Sequence, residues 1–165
     1  MITLKPLDPE DFELVATWLS RSTVNRWLTS EWRDRQATGA LVAVVVRNKR
    51  NRLFLVRCDD RPCGLVGFAD IDEADRTAMI WYLRGDPEVG GKGVIANAVG
   101  QAVRWAFEEF GLASLYAWIM ADNERSRRVL ESNGFREAGR IRMAARSGDH
   151  QVDRIYFDVV GSDPA

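Results

Sequence analysis

Residues 77–110 read TAMIWYLRGDPEVGGKGVIANAVGQAVRWAFEEF. The first part alternates, with Met79, Trp81 and Leu83 on one face and Ile80 and Tyr82 on the other, and predicts a strand over 76–84. Residues 85–93 break that pattern. Beyond them Ile95, Ala98, Val99, Ala102, Ala106 and Phe110 recur at helical spacing and predict an amphipathic helix over about 94–110, stopped by Gly111. Gly90, Gly91 and Gly93 stand just before that helix, leaving backbone N–H groups unobstructed beside a helix terminus with unpaired donors and partial positive charge. Such a place suits a pyrophosphate. It is not a P-loop, because no Gly-Lys-Ser/Thr ends it, nor a dinucleotide fingerprint, because the Gly-x-Gly-x-x-Gly spacing is missing. A plain turn remains the alternative reading of these residues alone.

Outward from this unit the chain alternates short strands and helices. Residues 2–7 predict an edge strand, and Asp8 before Pro9 starts a helix whose apolar positions are Phe12, Val15, Ala16 and Leu19. A second helix is expected over 23–35, and the Val- and Ala-rich stretch 36–50 reads as either helix or buried strand. Residues 53–57 and 63–71 predict antiparallel strands joined by a turn at Asp59-Asp60-Arg61-Pro62. A buried strand at 115–120, a short helix at 123–132 and closing strands at 137–143 and 152–159 follow, and 161–165 read as a loose tail. The fold class is α/β (mixed α+β), one domain over 1–165 with a mostly antiparallel sheet. The strands near 77–84 and 114–120 are expected to run parallel, because a helix connects them in a right-handed crossover.

Composition bounds the partners. Lys and Arg number 23 against 24 Asp and Glu, so no global field draws nucleic acid or an anionic membrane. The N-terminus is charged within ten residues, unlike a signal peptide. The most apolar run, Leu41–Val46, falls far short of the roughly 20 residues a bilayer demands. Cys58 and Cys63 suit a reduced, cytoplasmic setting rather than a disulfide framework, and with His150 as the one histidine they make a poor metal site, so no metal is expected.

Pro87, Gly91, Lys92 and Gly93 after Ile80-Trp81-Tyr82-Leu83, then Asn123-Glu124-Arg125-Ser126 and Val129 to Phe135 with Gly134, resemble the GNAT N-acetyltransferase family. The likeness is to the branch of ribosomal-protein alanine and spermidine acetyltransferases. It implies a twisted sheet with helices on both faces, a splayed parallel strand pair, and acetyl-CoA (coenzyme A) as cofactor. Its phosphate loop falls on Gly90, Gly91, Lys92, Gly93, Val94 and Ile95, led in by Val89. Gly93 matches, while Gly90 replaces the family's usual Gln or Arg and Ile95 its final small residue. Trp81, Tyr82, Leu83 and Arg84 resemble the edge that binds the pantetheine arm, a backbone N–H near Leu83 polarising the thioester carbonyl. Asn123 matches a family asparagine on the cofactor arm, and it also suits a helix N-cap; both roles are compatible. The family's frequent tyrosine acid maps to Leu130, which leaves Ser126, a water, or unaided departure of a thiolate whose pKa is near 8.5.

The resemblance further implies direct attack by a primary amine in a ternary complex, with a small-molecule acceptor such as a nucleotide-linked amino sugar or a polyamine. A protein N-terminus or lysine is the alternative, and a silent CoA-binding module the third. Candidate bases are Asp70 and Asp72, which share a strand face by alternation; Asp70 stands in an apolar strand where burial would raise its pKa. For Asp72, as for Glu73 and Asp75, a solvated turn is the alternative. Trp27, Glu31, Trp32, Asp70 and Tyr156 are candidate acceptor contacts, together with Trp18 and Asp34, although tryptophans at helical spacing also read as core. Arg140, Arg142, Arg146 and Arg154 would favour a phosphorylated amine if they converge, and otherwise form a solvated face. Monomer and homodimer are both compatible with the sequence.

Overall fold

In the computed structural model, residues 1–33 and 35–162 are described; Asp34 and the tail beyond Ser162 lie outside the described residues. Seven strands form one sheet: β1 (Ile2–Pro6), β2 (Arg52–Cys58), β3 (Arg61–Asp72), β4 (Thr77–Arg84), β5 (Ser114–Met120), β6 (Arg136–Ser147) and β7 (His150–Val160). Their spatial order is β1-β2-β3-β4-β5-β7-β6. Each pair is antiparallel except β4–β5, which is parallel as the crossover helix requires.

The pairing of β4 with β5 is short. Thr77, Ala78 and Met79 match Ser114, Leu115 and Tyr116, and no register continues beyond them. β4 meanwhile stays paired to β3 as far as Arg84, and β5 to β7 as far as Met120. The sheet therefore opens into a wedge at its centre.

Helices cover both faces. α4 (Val94–Glu108) buries Val94, Ala98, Val99, Ala102 and Ala106 against a core that includes Phe68, Ile80, Leu115, Ile155 and Phe157. α5 (Glu124–Glu131) adds Leu130 to the same core. On the other face α1 (Phe12–Leu19) and α3 (Gly39–Arg47) pack Val15, Trp18, Leu19 and Val42 over Leu55, Leu65 and Leu83. Each fully buried Leu or Phe contributes about 1.5–3 kcal/mol of transfer free energy. The alternation seen in 77–84 thus matches two cores, with Ile80 on one and Leu83 on the other. No helix among the described residues is long and apolar enough to cross a membrane.

Two expectations change and one open reading is resolved. The helix expected at 23–35 is only α2, Ser22–Asn25, followed by turns. There the Arg33 guanidinium donates to the nearby Leu28 carbonyl (3.2 Å) and, across the fold, to that of Arg146 (2.9 Å). The ambiguous stretch 36–50 contains α3, whose N-cap Thr38 accepts from the Leu41 N–H at 3.2 Å. The helix expected from Pro9 begins as a 3-10 turn, Pro9–Asp11, before α1.

At the end of β4 the chain passes against α1. A Cβ at Gly85 would lie 2.2 Å from the Trp18 ring, which is 2% exposed and has no room to withdraw. Gly85→Ala should therefore lower the unfolding free energy by about 1–3 kcal/mol in urea titration. Gly139→Ala, where a Cβ meets nothing within 4 Å, should leave the midpoint nearly unchanged.

Candidate active site

The wedge opens a cavity of about 990 Å³ between the β4 edge, β5, the start of α5 and the segment after α1. At its base the glycine loop turns into α4. Gly90, Gly91 and Gly93 hold φ of 82°, 62° and 85°, a region that costs glycine nothing. A Cβ at Gly91 or Gly93 would meet nothing within 4 Å, so the outer side of the loop is open. Gly93 is the N-cap of α4 and brings no side-chain cap, and the first turn carries no acid. The first intrahelical bond runs from Asn97 N–H to the Gly93 carbonyl at 2.9 Å. The N–H groups of Val94, Ile95 and Ala96 are thereby left to an external acceptor. Val89 and Val94 are buried, and their side chains anchor the loop in the core. Lys92 is exposed.

Arg84 holds this loop from within. Its Nε donates to the Asp86 carbonyl (3.0 Å), Nη1 to Gly91 (2.9 Å), and Nη2 to Pro87 (3.2 Å) and Val89 (2.7 Å). Four carbonyls are turned toward one guanidinium, which biases the intervening amides outward. The sequence placed Arg84 on the cofactor edge; its position on β4 lines the cavity, but its charged head is committed to the loop.

Across the wedge, Asn123 caps α5, its Oδ1 accepting from Ser126 N–H at 3.1 Å. It is 8% exposed and lines the cavity with Ser126. Tyr82 spans the gap, its hydroxyl donating to the Ser126 carbonyl at 3.1 Å. Burial pushes the Tyr82 phenol well above its ordinary value, so it keeps its proton. Leu130 is fully buried in the core beneath. Beyond Tyr116 no strand covers this side of β4, so backbone groups of alternate residues between Ile80 and Arg84, the Leu83 region among them, stand at an open edge.

The acceptor end brings Trp27, Glu31, Trp32 and Asp70 together, and adds Trp81, Trp118 and Asp122. Tyr156 lies opposite Trp118 in the β5–β7 register, on the same sheet face but outside the cavity wall. The burial expected for Asp70 is absent. A bulge between Ala69 and Asp72 gives Asp70 a φ of 50° and exposes it, with its carboxylate 3.9 Å from the Arg50 guanidinium. The same bulge breaks the alternation that would have put Asp70 and Asp72 on one face. Asp72 is spent on the β3–β4 turn, accepting from Asp75 N–H at 2.9 Å.

The arginine array does not converge either. Arg140 pairs with Asp153 (3.1 Å) and Arg146 with Asp149 (3.7 Å), while Arg154 stacks on Trp118 at 4.0 Å. Trp118 and Asp122 escaped the sequence reading. The alternation of β5 held the signal for Trp118, since Leu115, Ala117 and Ile119 face the α4 core and Trp118 must face the other way. Among the described residues no cluster of His, Cys, Asp or Glu fits a metal ion, and Cys58 and Cys63 are free thiols.

The chain is 26% identical to the putative ribosomal N-acetyltransferase YdaF of Bacillus subtilis, over 96% of this chain and 91% of that protein. It is 26% identical to the spermidine N(1)-acetyltransferase of Escherichia coli K12, over 85% and 75% respectively. The fold superposes on the spermidine N-acetyltransferase of Vibrio cholerae, solved with CoA and spermine, with a TM-score of 0.87 at 18% identity, covering 98% of this chain and 96% of the other. The sequence profile of the acetyltransferase (GNAT) domain matches residues 1–136, from β1 to the first residue of β6; the chain belongs to this family, whose acyl donor is acetyl-CoA.

Proposed function

We propose that the chain, acting as one catalytic unit, transfers acetyl from acetyl-CoA to the primary amine of a small molecule, both substrates being bound in the wedge at once. The observation that carries this reading is the uncapped N-terminus of α4, with its outward glycine loop, opening onto an unpaired strand edge. Backbone N–H groups from Gly91 to Ala96 take the pyrophosphate, aided by the helix dipole. The free edge of β4 takes the pantetheine amides, and an N–H near Leu83 accepts the negative charge that develops on the carbonyl oxygen. Acetyl-CoA supplies a thioester-activated acetyl group. Asn123 fixes the far wall by holding the first turn of α5, and Tyr82 clamps that turn to β4.

The amine enters from the tryptophan-lined end. Asp70, at the cavity mouth, receives its proton directly or through water; Asp72 points away, into its turn. With Leu130 apolar and Tyr82 committed to the Ser126 carbonyl, the departing thiolate takes a proton from solvent or leaves charged, which a thiol of ordinary acidity permits near neutral pH. The relatives named spermidine acetyltransferases support a small-molecule acceptor. The relative named as a ribosomal acetyltransferase supports a protein N-terminus as the second reading. The two free cysteines fit a cytoplasmic setting.

Calorimetric titration should show micromolar acetyl-CoA binding, abolished by Gly93→Glu, which sets charge and bulk where the pyrophosphate lies. Absence of binding by the intact protein would overturn the acetyltransferase reading. Arg84→Ala should weaken acetyl-CoA binding about tenfold, since each charge-assisted hydrogen bond it loses is worth about 1.5–3 kcal/mol and the loop relaxes in part. Lysine, a point charge without a fork, should not restore it. At saturating acetyl-CoA, kcat should change far less than KM, the mark of a residue that shapes the loop rather than touching the reacting atoms.

A further inference from the structure

The two helices that flank the wedge are tied to each other from behind the cavity wall. Asn133 follows the end of α5. Its Nδ2 donates to the Val129 carbonyl, in the last turn of α5, at 2.8 Å and to the Ala96 carbonyl, in the first turn of α4, at 3.0 Å. Both N–H donors of the amide are used, and the two carbonyls fix which way it faces. Ile95 and Val129 line the cavity, whereas Ala96 and Asn133 do not. The amide therefore holds the wall without reaching what the wall encloses.

Asn133 is itself held in place. Its N–H donates to the Leu130 carbonyl at 3.0 Å, and the Phe135 N–H donates to the same carbonyl at 3.1 Å. Leu130 and Phe135 are both buried in the core beneath α4. From α4, Gly100 faces the amide: a Cβ there would lie 2.7 Å from Asn133 Oδ1. A glycine inside a helix is less favourable than alanine, and here it leaves the room that Asn133 occupies. The N–H of Ala96, with those of Val94 and Ile95, is left to an external acceptor at the start of α4. The carbonyl of that same residue is the one Asn133 holds. How the first turn is seated sets where its free donors point, so an anchor on this carbonyl bears on whatever those donors bind.

We infer that Asn133 is a positioning residue for the cofactor. It seats the first turn of α4 against the last turn of α5, so that the N–H groups of Val94, Ile95 and Ala96 are aimed at the pyrophosphate of acetyl-CoA, and Gly100 gives it the space to do so. This rests on the acetyl-transfer reading above and adds to it a residue that touches neither substrate.

The test is calorimetric titration of CoA into the intact protein and four variants. Asn133→Asp keeps the size of the side chain but turns acceptors alone toward two carbonyls. It should weaken CoA binding about tenfold, and Asn133→Ala should do the same. Ser132→Ala removes a 3.0 Å hydroxyl bond to the Val129 carbonyl without touching α4, and should leave CoA affinity within about twofold. A residue that merely finished α5 would make the Asn133 and Ser132 variants alike. Gly100→Ala reaches the amide from the other helix and should also weaken binding, although alanine is the better helix former; it serves as the second approach should the Asn133 variants fold poorly. In thiol release with spermidine or an alanine-initiated peptide, the KM for acetyl-CoA should rise about tenfold in the Asn133 variants, with kcat and the acceptor KM within about twofold. The inference is overturned by CoA affinity within about twofold of the intact protein in Asn133→Asp and Gly100→Ala, by an equal loss in Ser132→Ala, or by an acceptor KM that rises as far as that for acetyl-CoA. If the intact protein binds CoA, any of those results removes the role of Asn133 alone; if it does not, the acetyltransferase reading falls with it.

Discussion

β4 and β5 share three paired positions and then part, each held by its outer neighbour rather than by the other. A parallel pair in the middle of a sheet is ordinarily sealed on both edges, because unpaired backbone donors and acceptors are costly when buried. Here the parting leaves a polar backbone edge inside the molecule, and only a ligand or water can satisfy it. The same parting leaves the starts of α4 and α5, through Ile95 and Asn123, beside the unpaired edge of β4. The separation is maintained because the strands are anchored in different places: β4 to β3 through seven pairs interrupted by a bulge, β5 to β7 through seven pairs without interruption.

An open wedge needs fixed lips. On one side the fixing element is Arg84, whose guanidinium gathers the loop carbonyls. The loop is shaped through its backbone rather than by a long side chain of its own. That accords with Gly90 standing where the family more often has a long polar residue: a Cβ there would lie 2.6 Å from Val94 and 3.0 Å from the Cys58 sulfur, so the packing beneath the loop excludes one. On the other side Asn123 and Tyr82 hold the first turn of α5, one from its own end and one from across the gap.

The sequence carried the strand–loop–helix unit because its signals are local: alternation over 77–83, three glycines, and one apolar stripe along α4. Parallel pairing followed from connectivity alone. What it could not carry was set by contacts far apart in the chain. Asp70 looked buried because its neighbours are apolar, yet a bulge turns it out to Arg50. Residues 23–35, with Trp27 and Trp32, looked helical, yet the helix ends at Asn25 and Arg33 reaches 113 residues along the chain to the Arg146 carbonyl. The four arginines near 140–154 looked like an anion site because they alternate, yet two of them pair with acids from their own hairpin. Spacing gives a residue's face; it does not say which opposite charge arrives there first.

The two ends of the wedge are joined at one residue. Gly85 follows the last residue of β4 and opens the cofactor loop; its α-carbon lies under the Trp18 ring, and its carbonyl accepts from Arg21, which lines the cavity just before α2. Trp18 belongs to α1, whose end leads directly into α2 and the turns that carry Trp27, Glu31 and Trp32. A shift of the acceptor wall is therefore transmitted to the loop through a contact with no slack, since Trp18 is buried and packed interiors yield little. On the reading proposed above, in which both substrates are bound at once, a rigid residue shared by the two ends of the wedge would align them.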